Sequence, residues 1–114
     1  MRDIYIVAMT LEEELRKLLH SSKDWQRTPV KDSPGVFVVK APAYRGRPAS
    51  LMVELNPVGP DGSPTKRKGL MLRNRKELEA FRQMLSNKKL DSLLEGLEKV
   101  NPGAGENEEH ELEI

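Results

Sequence analysis

The amino-acid sequence predicts an α+β fold, in which a curved antiparallel sheet of about four strands lies between one N-terminal helix and two C-terminal helices. Three observations indicate this class. Apolar residues recur at helical spacing near both ends, β-branched runs occupy the middle, and proline- and glycine-rich turns separate them. We assign residues 1–103 to one domain and residues 104–114, which are rich in glutamate, to a disordered acidic tail.

The N-terminal region contains a helix whose beginning has two interpretations. Thr10 and Glu13 match a capping box, which predicts a short strand over Ile4–Met9 and a helix over Leu11–His20. Alternatively, the apolar stripe that runs from residue 4 to residue 19 predicts one unbroken helix. Both interpretations place Leu11 and the residues after it in a helix.

The middle of the chain predicts the sheet. Val36–Lys40 and Leu51–Leu55 are rich in β-branched and apolar residues, and turn-forming residues flank them. Lys66–Arg73 is interpreted as a third strand that follows a long proline- and glycine-rich loop. Trp25–Val30 is a possible fourth strand, which Pro29 would confine to an edge of the sheet because proline cannot donate to the ladder.

Two helices are predicted after the sheet. Asn74 and Glu77 match a helix N-terminus, and the apolar face of that helix ends at Leu85. The second helix is predicted to begin at Ser86 or Asn87 and to end before Pro102 and Gly103. Its apolar stripe consists of Leu90, Leu93, Leu94, Leu97 and Val100.

The charge is distributed unevenly along the chain. The net charge is +1 overall, but residues 25–89 carry 14 Lys and Arg against 5 Asp and Glu, and residues 90–114 carry 1 against 8. A basic body followed by an acidic segment indicates a protein that binds a polyanion and carries a solvated or partner-binding tail.

Enzymatic functions find little support in the sequence. There is no cysteine, which excludes disulfides, thiolate metal sites and cysteine nucleophiles. His20 falls near a predicted helix end and His110 in the tail, while the adjacent residues of Glu12–Glu14 cannot all face one metal ion. No phosphate-binding glycine motif occurs. We therefore predict a protein that is not an enzyme and has no catalytic residue, metal or cofactor.

The sequence also predicts a cytoplasmic protein without a membrane partner. No apolar run approaches the roughly 20 residues that span a bilayer, and no signal peptide opens the chain.

The basic body contains residues suited to unpaired nucleic acid. Such a ligand needs cations for its phosphates and flat or apolar side chains for its bases. In a strand over Lys66–Arg73, alternation would place Lys66 and Lys68 with the core-like Leu70 and Leu72, and Arg67, Met71 and Arg73 on the opposite, outward face. Trp25 could be a stacking platform or a core or interface anchor. The candidate binding residues are Trp25, Lys40, Tyr44, Arg45, Arg47, Lys66, Arg67, Lys68, Met71 and Arg73.

Residues 34–85 resemble the single-strand-binding domain of the positive-cofactor-four family of transcriptional coactivators. The resemblance lies in the turn Tyr44-Arg45-Gly46-Arg47, the loop Gly59–Ser63 and the basic-basic-glycine sequence Arg67-Lys68-Gly69. It implies a curved antiparallel sheet and a helix, with dimers that form channels for unpaired strands. It also implies that Tyr44 stacks on bases, that Arg67 lies beside the Tyr44 turn, and that phosphates are held by Arg45, Arg47, Arg67 and Lys68.

The chain departs from this pattern at Asn56-Pro57, where the family usually has an aromatic residue. With its additional N-terminal and C-terminal helices, the chain is also similar to the ThermoDBP-related proteins of hyperthermophilic archaea. That resemblance implies binding of single-stranded DNA in a basic, apolar-lined cleft, and oligomer formation.

The expected function is therefore binding of single-stranded DNA, or alternatively of RNA, in genome maintenance or transcription. We expect a homo-oligomer, either a dimer or a tetramer. The alternative is a protein–protein interaction module that docks its partners through the leucine-rich C-terminal helices. The acidic tail is expected to solubilise the protein, to compete for the basic cleft or to bind a protein partner.

Overall fold

The computed structural model describes residues 9–102. The elements in chain order are α1 (Leu11–Ser21), β1 (Arg27–Pro29), β2 (Val36–Ala41), β3 (Ser50–Leu55), β4 (Leu70–Leu72), α2 (Arg75–Leu85) and α3 (Lys89–Val100). The predicted α+β class, with an antiparallel sheet, one N-terminal helix and two C-terminal helices, is confirmed. The chain divides into two compact units, one that ends at Arg75 and one that begins at Lys76.

Helix α1 begins where the capping box predicts. The Thr10 hydroxyl accepts the backbone N–H of Glu13 at 3.1 Å, and the Glu13 carboxylate accepts the N–H of Thr10 at 2.9 Å. Thr10 is extended, with φ −72° and ψ 158°, so the interpretation as one unbroken helix is wrong at this residue. Met9 is in neither helix nor strand, and the rest of the predicted strand Ile4–Met9 lies outside the described residues.

The strands form one antiparallel sheet in the order β1-β2-β3-β4. Arg27 is paired with Val39, Val39 with Met52, and Glu54 with Met71. Directly paired residues point to the same side of a sheet, which defines its two faces. The front face carries Arg27, Phe37, Val39, Met52, Glu54 and Met71. The back face carries Thr28, Val38, Lys40, Leu51, Val53, Leu55, Leu70 and Leu72.

Two of the predicted strands are shorter than expected. The strand predicted over Trp25–Val30 forms only at Arg27–Pro29, and it lies at an edge of the sheet as Pro29 requires. The strand predicted over Lys66–Arg73 forms only at Leu70–Leu72, so the prediction is wrong for residues 66–69 and for Arg73. The backbone of that segment is bonded to buried polar side chains instead of to a neighbouring strand, as described below.

The described part of the chain has a small apolar core. Phe37, Val39 and Leu72 are its buried hydrophobic residues. Glu54 and Asn56, at 0% and 1% exposure, are as deeply buried as any of them. The centre of the sheet is thus held by polar bonds as well as by apolar packing.

The C-terminal unit contains most of α2 and all of α3. Helix α2 begins directly after Asn74, as predicted, whereas α3 begins at Lys89, later than the predicted Ser86 or Asn87. A turn precedes it, in which the side-chain oxygen of Asn87 accepts the N–H of Lys89 at 2.9 Å, and the N-cap residue Lys88 makes no side-chain capping bond. The predicted end of α3 is confirmed, because Asn101 leaves the helical conformation with ψ 141°. Within residues 9–102, no helix combines the length and the apolarity needed to cross a bilayer.

Candidate nucleic-acid interface

Trp25 lies in a strained turn at the edge of the sheet. The N–H of Gln26 donates to the carbonyl of Lys23 at 3.0 Å, which closes a turn whose third residue is Trp25. Its backbone N–H also donates to the carbonyl of Lys40 at 2.7 Å, and Lys40 returns a bond to Gln26 at 3.4 Å. This is the pattern of a β-bulge whose first residue is left-handed and usually glycine. Trp25 has φ +64°, in the left-handed region, and it is 56% exposed.

The turn that contains Tyr44 forms a tight two-residue hairpin. Tyr44 and Arg47 exchange both backbone hydrogen bonds, at 3.0 and 2.9 Å. Arg45 and Gly46 between them have φ +47° and +81°, the left-handed pair that such hairpins require. The Tyr44 ring is 64% exposed, and the guanidinium of Arg45 lies 5.2 Å from its centroid. The hairpin therefore holds an aromatic ring and two cations at the surface.

A buried polar network fixes the segment of residues 66–69, which we call the basic strap. Glu54 accepts two hydrogen bonds from Arg27, at 2.6 and 3.1 Å, and one from the backbone N–H of Gly69 at 2.7 Å. Asn56 donates to Glu54 at 3.1 Å and to the carbonyl of Lys66 at 2.8 Å. Arg27 also donates to the carbonyl of Arg67 at 2.6 Å. The strap backbone thus faces inward, and its cationic side chains are exposed.

The network explains the error in the predicted third strand. The N–H of Gly69 and the polar backbone atoms of Lys66 are satisfied by Glu54 and Asn56, so the strap forms no ladder. Because residues 66–69 form no strand, alternation does not separate Lys68 from Arg67. Lys68 and Arg67 line the same cleft on the front face.

The ionisation of Glu54 is strongly favoured. The hydrogen bonds from Arg27, followed by those from Gly69 and Asn56, lower the pKa of Glu54 from 4.5 to about 2, although burial by itself would raise it. Glu54 is therefore an anion at neutral pH. It compensates the charge of Arg27, whose side chain is 34% exposed.

Two open clefts lie on the front face, and Trp25 borders both. The Tyr44 cleft has a volume of about 540 Å³. It is lined by Tyr44, Arg47 and Arg73 and by the apolar residues Met52, Pro42 and Pro48. The Arg67 cleft has a volume of about 390 Å³. It is lined by Arg67, Lys68 and Arg27 and by the apolar residues Val39 and Met71. The residues that line the two clefts include five cationic side chains and no carboxylate.

The structure brings most of the predicted site residues to these clefts. Those that line them are Trp25, Tyr44, Arg47, Arg67, Lys68, Met71 and Arg73. Arg67, which the resemblance implied to lie beside the Tyr44 turn, lines the Arg67 cleft and is not among the residues that line the Tyr44 cleft. Arg45 stacks over Tyr44 at the rim, and Lys66 is exposed on the strap outside both clefts.

Lys40 is a predicted site residue that lies on the opposite face of the sheet from the clefts. It lies on the back face, and its ammonium donates to the carbonyl of Ser22 at 3.1 Å, just beyond the end of α1. This bond places a positive charge at the helix C-terminus, where it is favourable. Lys40 thus holds α1 to the sheet and does not line either cleft.

Sequence reasoning missed several residues of this interface. Met52 and Arg27 line the clefts, while Glu54 and Asn56 hold the strap. An acidic residue in an alternating strand normally faces water, so Glu54 gave no signal of burial. The one available signal was glycine at position 69, directly after three basic residues, which indicates a close backbone approach rather than a regular strand.

No family model, curated protein or solved structure matches the chain. The interface is therefore interpreted from its own geometry. Within residues 9–102, no group of three or more potential metal-ligating side chains comes together.

Proposed function

We propose that this protein binds single-stranded nucleic acid, with DNA as the first candidate, through the two clefts of the front face and without catalysing a reaction on it. One observation carries the proposal. Two exposed aromatic rings, Trp25 and Tyr44, stand over an apolar floor whose lining side chains include cations and no carboxylate. Bases can stack on the rings while phosphates contact Arg47, Arg67 and Lys68.

The buried network supports the same function. Glu54 is enclosed and paired with Arg27, so it does not repel a phosphate from the surface. The backbone bonds to Glu54 and Asn56 hold the strap in one conformation before any ligand arrives, which reduces the entropy lost on binding. Binding of this kind would serve genome maintenance or transcription, in a protein that we propose to be cytoplasmic. The resemblances to the positive-cofactor-four family and to the ThermoDBP-related proteins both imply this class of ligand.

A salt titration tests the proposal. We expect a labelled oligothymidylate to bind more tightly than a duplex of the same length, because the aromatic rings need unstacked bases. Affinity should fall steeply with salt, and Arg67→Ala and Lys68→Ala should each lower the slope of log affinity against log salt by about 0.7. The measurement is fluorescence anisotropy at four or five salt concentrations.

Lys31→Ala is the matched control for these variants, because Lys31 is exposed and lines neither cleft. It removes the same charge and should leave the slope nearly unchanged. Equal affinity for duplex and single strand would show that the protein binds nucleic acid only as a generic polycation. If Arg67→Ala and Lys68→Ala both kept the salt dependence of the parent protein, the nucleic acid would bind at a site other than the basic strap.

A second candidate function rests on a different observation. Helix α3 exposes an apolar stripe in which Leu93, Leu94 and Leu97 are 62%, 56% and 47% exposed. Such a stripe suits docking of a partner protein or of a second copy of the chain. We propose that the stripe is exposed because it contacts another copy of the chain in a homo-oligomer, either a dimer or a tetramer. A protein that only docks partners through α3 should bind them with little dependence on salt, unlike the front face.

A further inference from the structure

We propose that Trp25 determines the preference for unpaired strands, by inserting its indole between two consecutive bases that occupy the Tyr44 cleft and the Arg67 cleft. This inference rests on the proposed function and assigns a specific role within it. It follows from two independent features of Trp25, its backbone conformation and its position between the clefts.

The backbone conformation of Trp25 is unfavourable for the residue that is present. At φ +64° a bulky side chain is strained, and both the turn and the bulge at this point would be satisfied by glycine. Three hydrogen bonds nevertheless impose it: Gln26 to Lys23 at 3.0 Å, Trp25 to Lys40 at 2.7 Å, and the N–H of Lys23 to the side chain of Gln26 at 2.9 Å.

Burial of the indole does not explain why tryptophan is tolerated there. The side chain is 56% exposed, so much of the largest apolar side chain in the protein remains in contact with water. Strain that is maintained without a corresponding gain in packing is typical of functional sites. Trp25, in this left-handed conformation, lines both clefts of the front face.

The position of Trp25 is what suits it to separate bases. Arg47 and Arg73 lie in the cleft on one side of it, and Arg67 and Lys68 lie in the cleft on the other side. A strand whose phosphates follow these cations must pass the indole. A single strand can open one stacking step for the ring at low cost, whereas a duplex must unstack paired bases. The indole therefore favours the single strand over the duplex.

The decisive comparison uses Trp25→Gly, Trp25→Ala and Trp25→Phe. Both small variants should lose roughly 5- to 150-fold in affinity for oligothymidylate, the range for one stacked base, with little change for the duplex. Trp25→Phe should keep most of the preference. Trp25→Gly should melt higher than Trp25→Ala, because only glycine relieves the strain while both lack the indole. Thermal unfolding and anisotropy titration measure the two effects separately.

Fluorescence supplies a second measurement, since Trp25 is the single tryptophan of the chain. Its emission should be quenched when oligothymidylate binds the parent protein. It should also be quenched in Tyr44→Ala, which removes the other ring but leaves Trp25 in place. Unquenched emission on binding, or an unchanged ratio of single-strand to duplex affinity in Trp25→Gly and Trp25→Ala, would overturn the inference. Absence of single-strand binding by the parent would instead overturn the proposed function.

Discussion

Glu54 is fully enclosed in the sheet, yet it is charged, and its role follows from the partners it holds. Its two oxygens accept bonds from Arg27, Asn56 and the backbone of Gly69, so the anion joins β1, β3 and the basic strap. A hydrophobic residue at this position could pack, but it could not bond to the strap. We interpret Glu54 as a residue that positions Arg67 and Lys68 without contacting a ligand.

Replacing Glu54 by glutamine should destabilise the protein by about 1.5–3 kcal/mol at neutral pH, because the charge-assisted bonds to Arg27 and Gly69 are lost. The pKa of Glu54 in the folded state is about 2, below its ordinary value of 4.5. Its contribution is therefore fully present above about pH 4.5 and is lost as the pH falls toward 2. Urea unfolding at pH 7, 4 and 2.5 should show the difference between parent and variant shrinking with acid.

Glu95→Gln is the control for this prediction, because it removes the same charge from an exposed position on α3. Its stability should follow that of the parent at each pH. A Glu54→Gln protein as stable as the parent at pH 7 would contradict the role assigned to the network.

Individual residues were predicted from the sequence where their signal is local. The capping box of Thr10 and the aromatic turn at Tyr44 involve residues within three positions of one another, and both are found as the pattern indicates. The pair formed by Arg27 and Glu54 joins residues 27 positions apart, with no local sequence signal of its own. The interface was therefore predictable in composition but not in the contacts that hold it.

At the scale of elements, the basic strap shows how tertiary contacts override a strand pattern. Gly69 lies so close to β3 that an added Cβ would be 2.2 Å from the carbonyl oxygen of Leu55 and 2.9 Å from the Cβ of Asn56. The runs around Val36 and Leu51 form strands as predicted, because both are rich in β-branched and apolar residues and they pair with each other. The run after Thr65 does not, because Glu54 and Asn56 capture its backbone.

Gly69→Ala should therefore destabilise the protein by about 1–3 kcal/mol, the usual cost of forcing an extra methyl group into a packed site. It should also weaken single-strand binding, since the strap must move and carries Arg67 and Lys68. Chemical unfolding and anisotropy titration check the two effects.

The control for the strap is Gly96→Ala, because Gly96 lies in α3 and an added Cβ would have no atom within 4 Å apart from the neighbouring backbone of its own helix. That substitution should stabilise the helix by up to about 1 kcal/mol and leave binding unchanged. If Gly69→Ala behaved like Gly96→Ala, the close approach of the strap to β3 would not matter for function.

The whole molecule combines a small core with much exposed apolar surface. Its buried hydrophobic residues, within the part the structure describes, are Phe37, Val39 and Leu72. Leu93, Leu94 and Val100 of α3 are each more than half exposed. A chain of this kind gains stability when apolar faces of different copies are buried against one another. The helical periodicity of α3 predicted the stripe, but no single chain can indicate what covers it.

We expect the protein to be oligomeric at micromolar concentration and its melting temperature to rise with concentration. Leu94→Gln should shift the mass toward the monomer, because it removes an apolar side chain from the centre of the stripe. Glu95→Gln, at the adjacent position, should not. Sedimentation equilibrium measures both variants, and a monomeric parent protein at these concentrations would contradict the expectation.

The bonds to the basic strap also determine the order in which the molecule can fold. The hairpin of β2 and β3 joins neighbouring segments, whereas Arg27 reaches across 27 residues to Glu54 and across 40 residues to Arg67. Contacts that close longer loops cost more entropy and are expected to form later. Gly69→Ala should then speed unfolding while leaving the refolding rate near that of the parent, as stopped-flow kinetics would show. A partly folded chain would lack an assembled cationic surface, so we expect nucleic acid to bind only the completed fold.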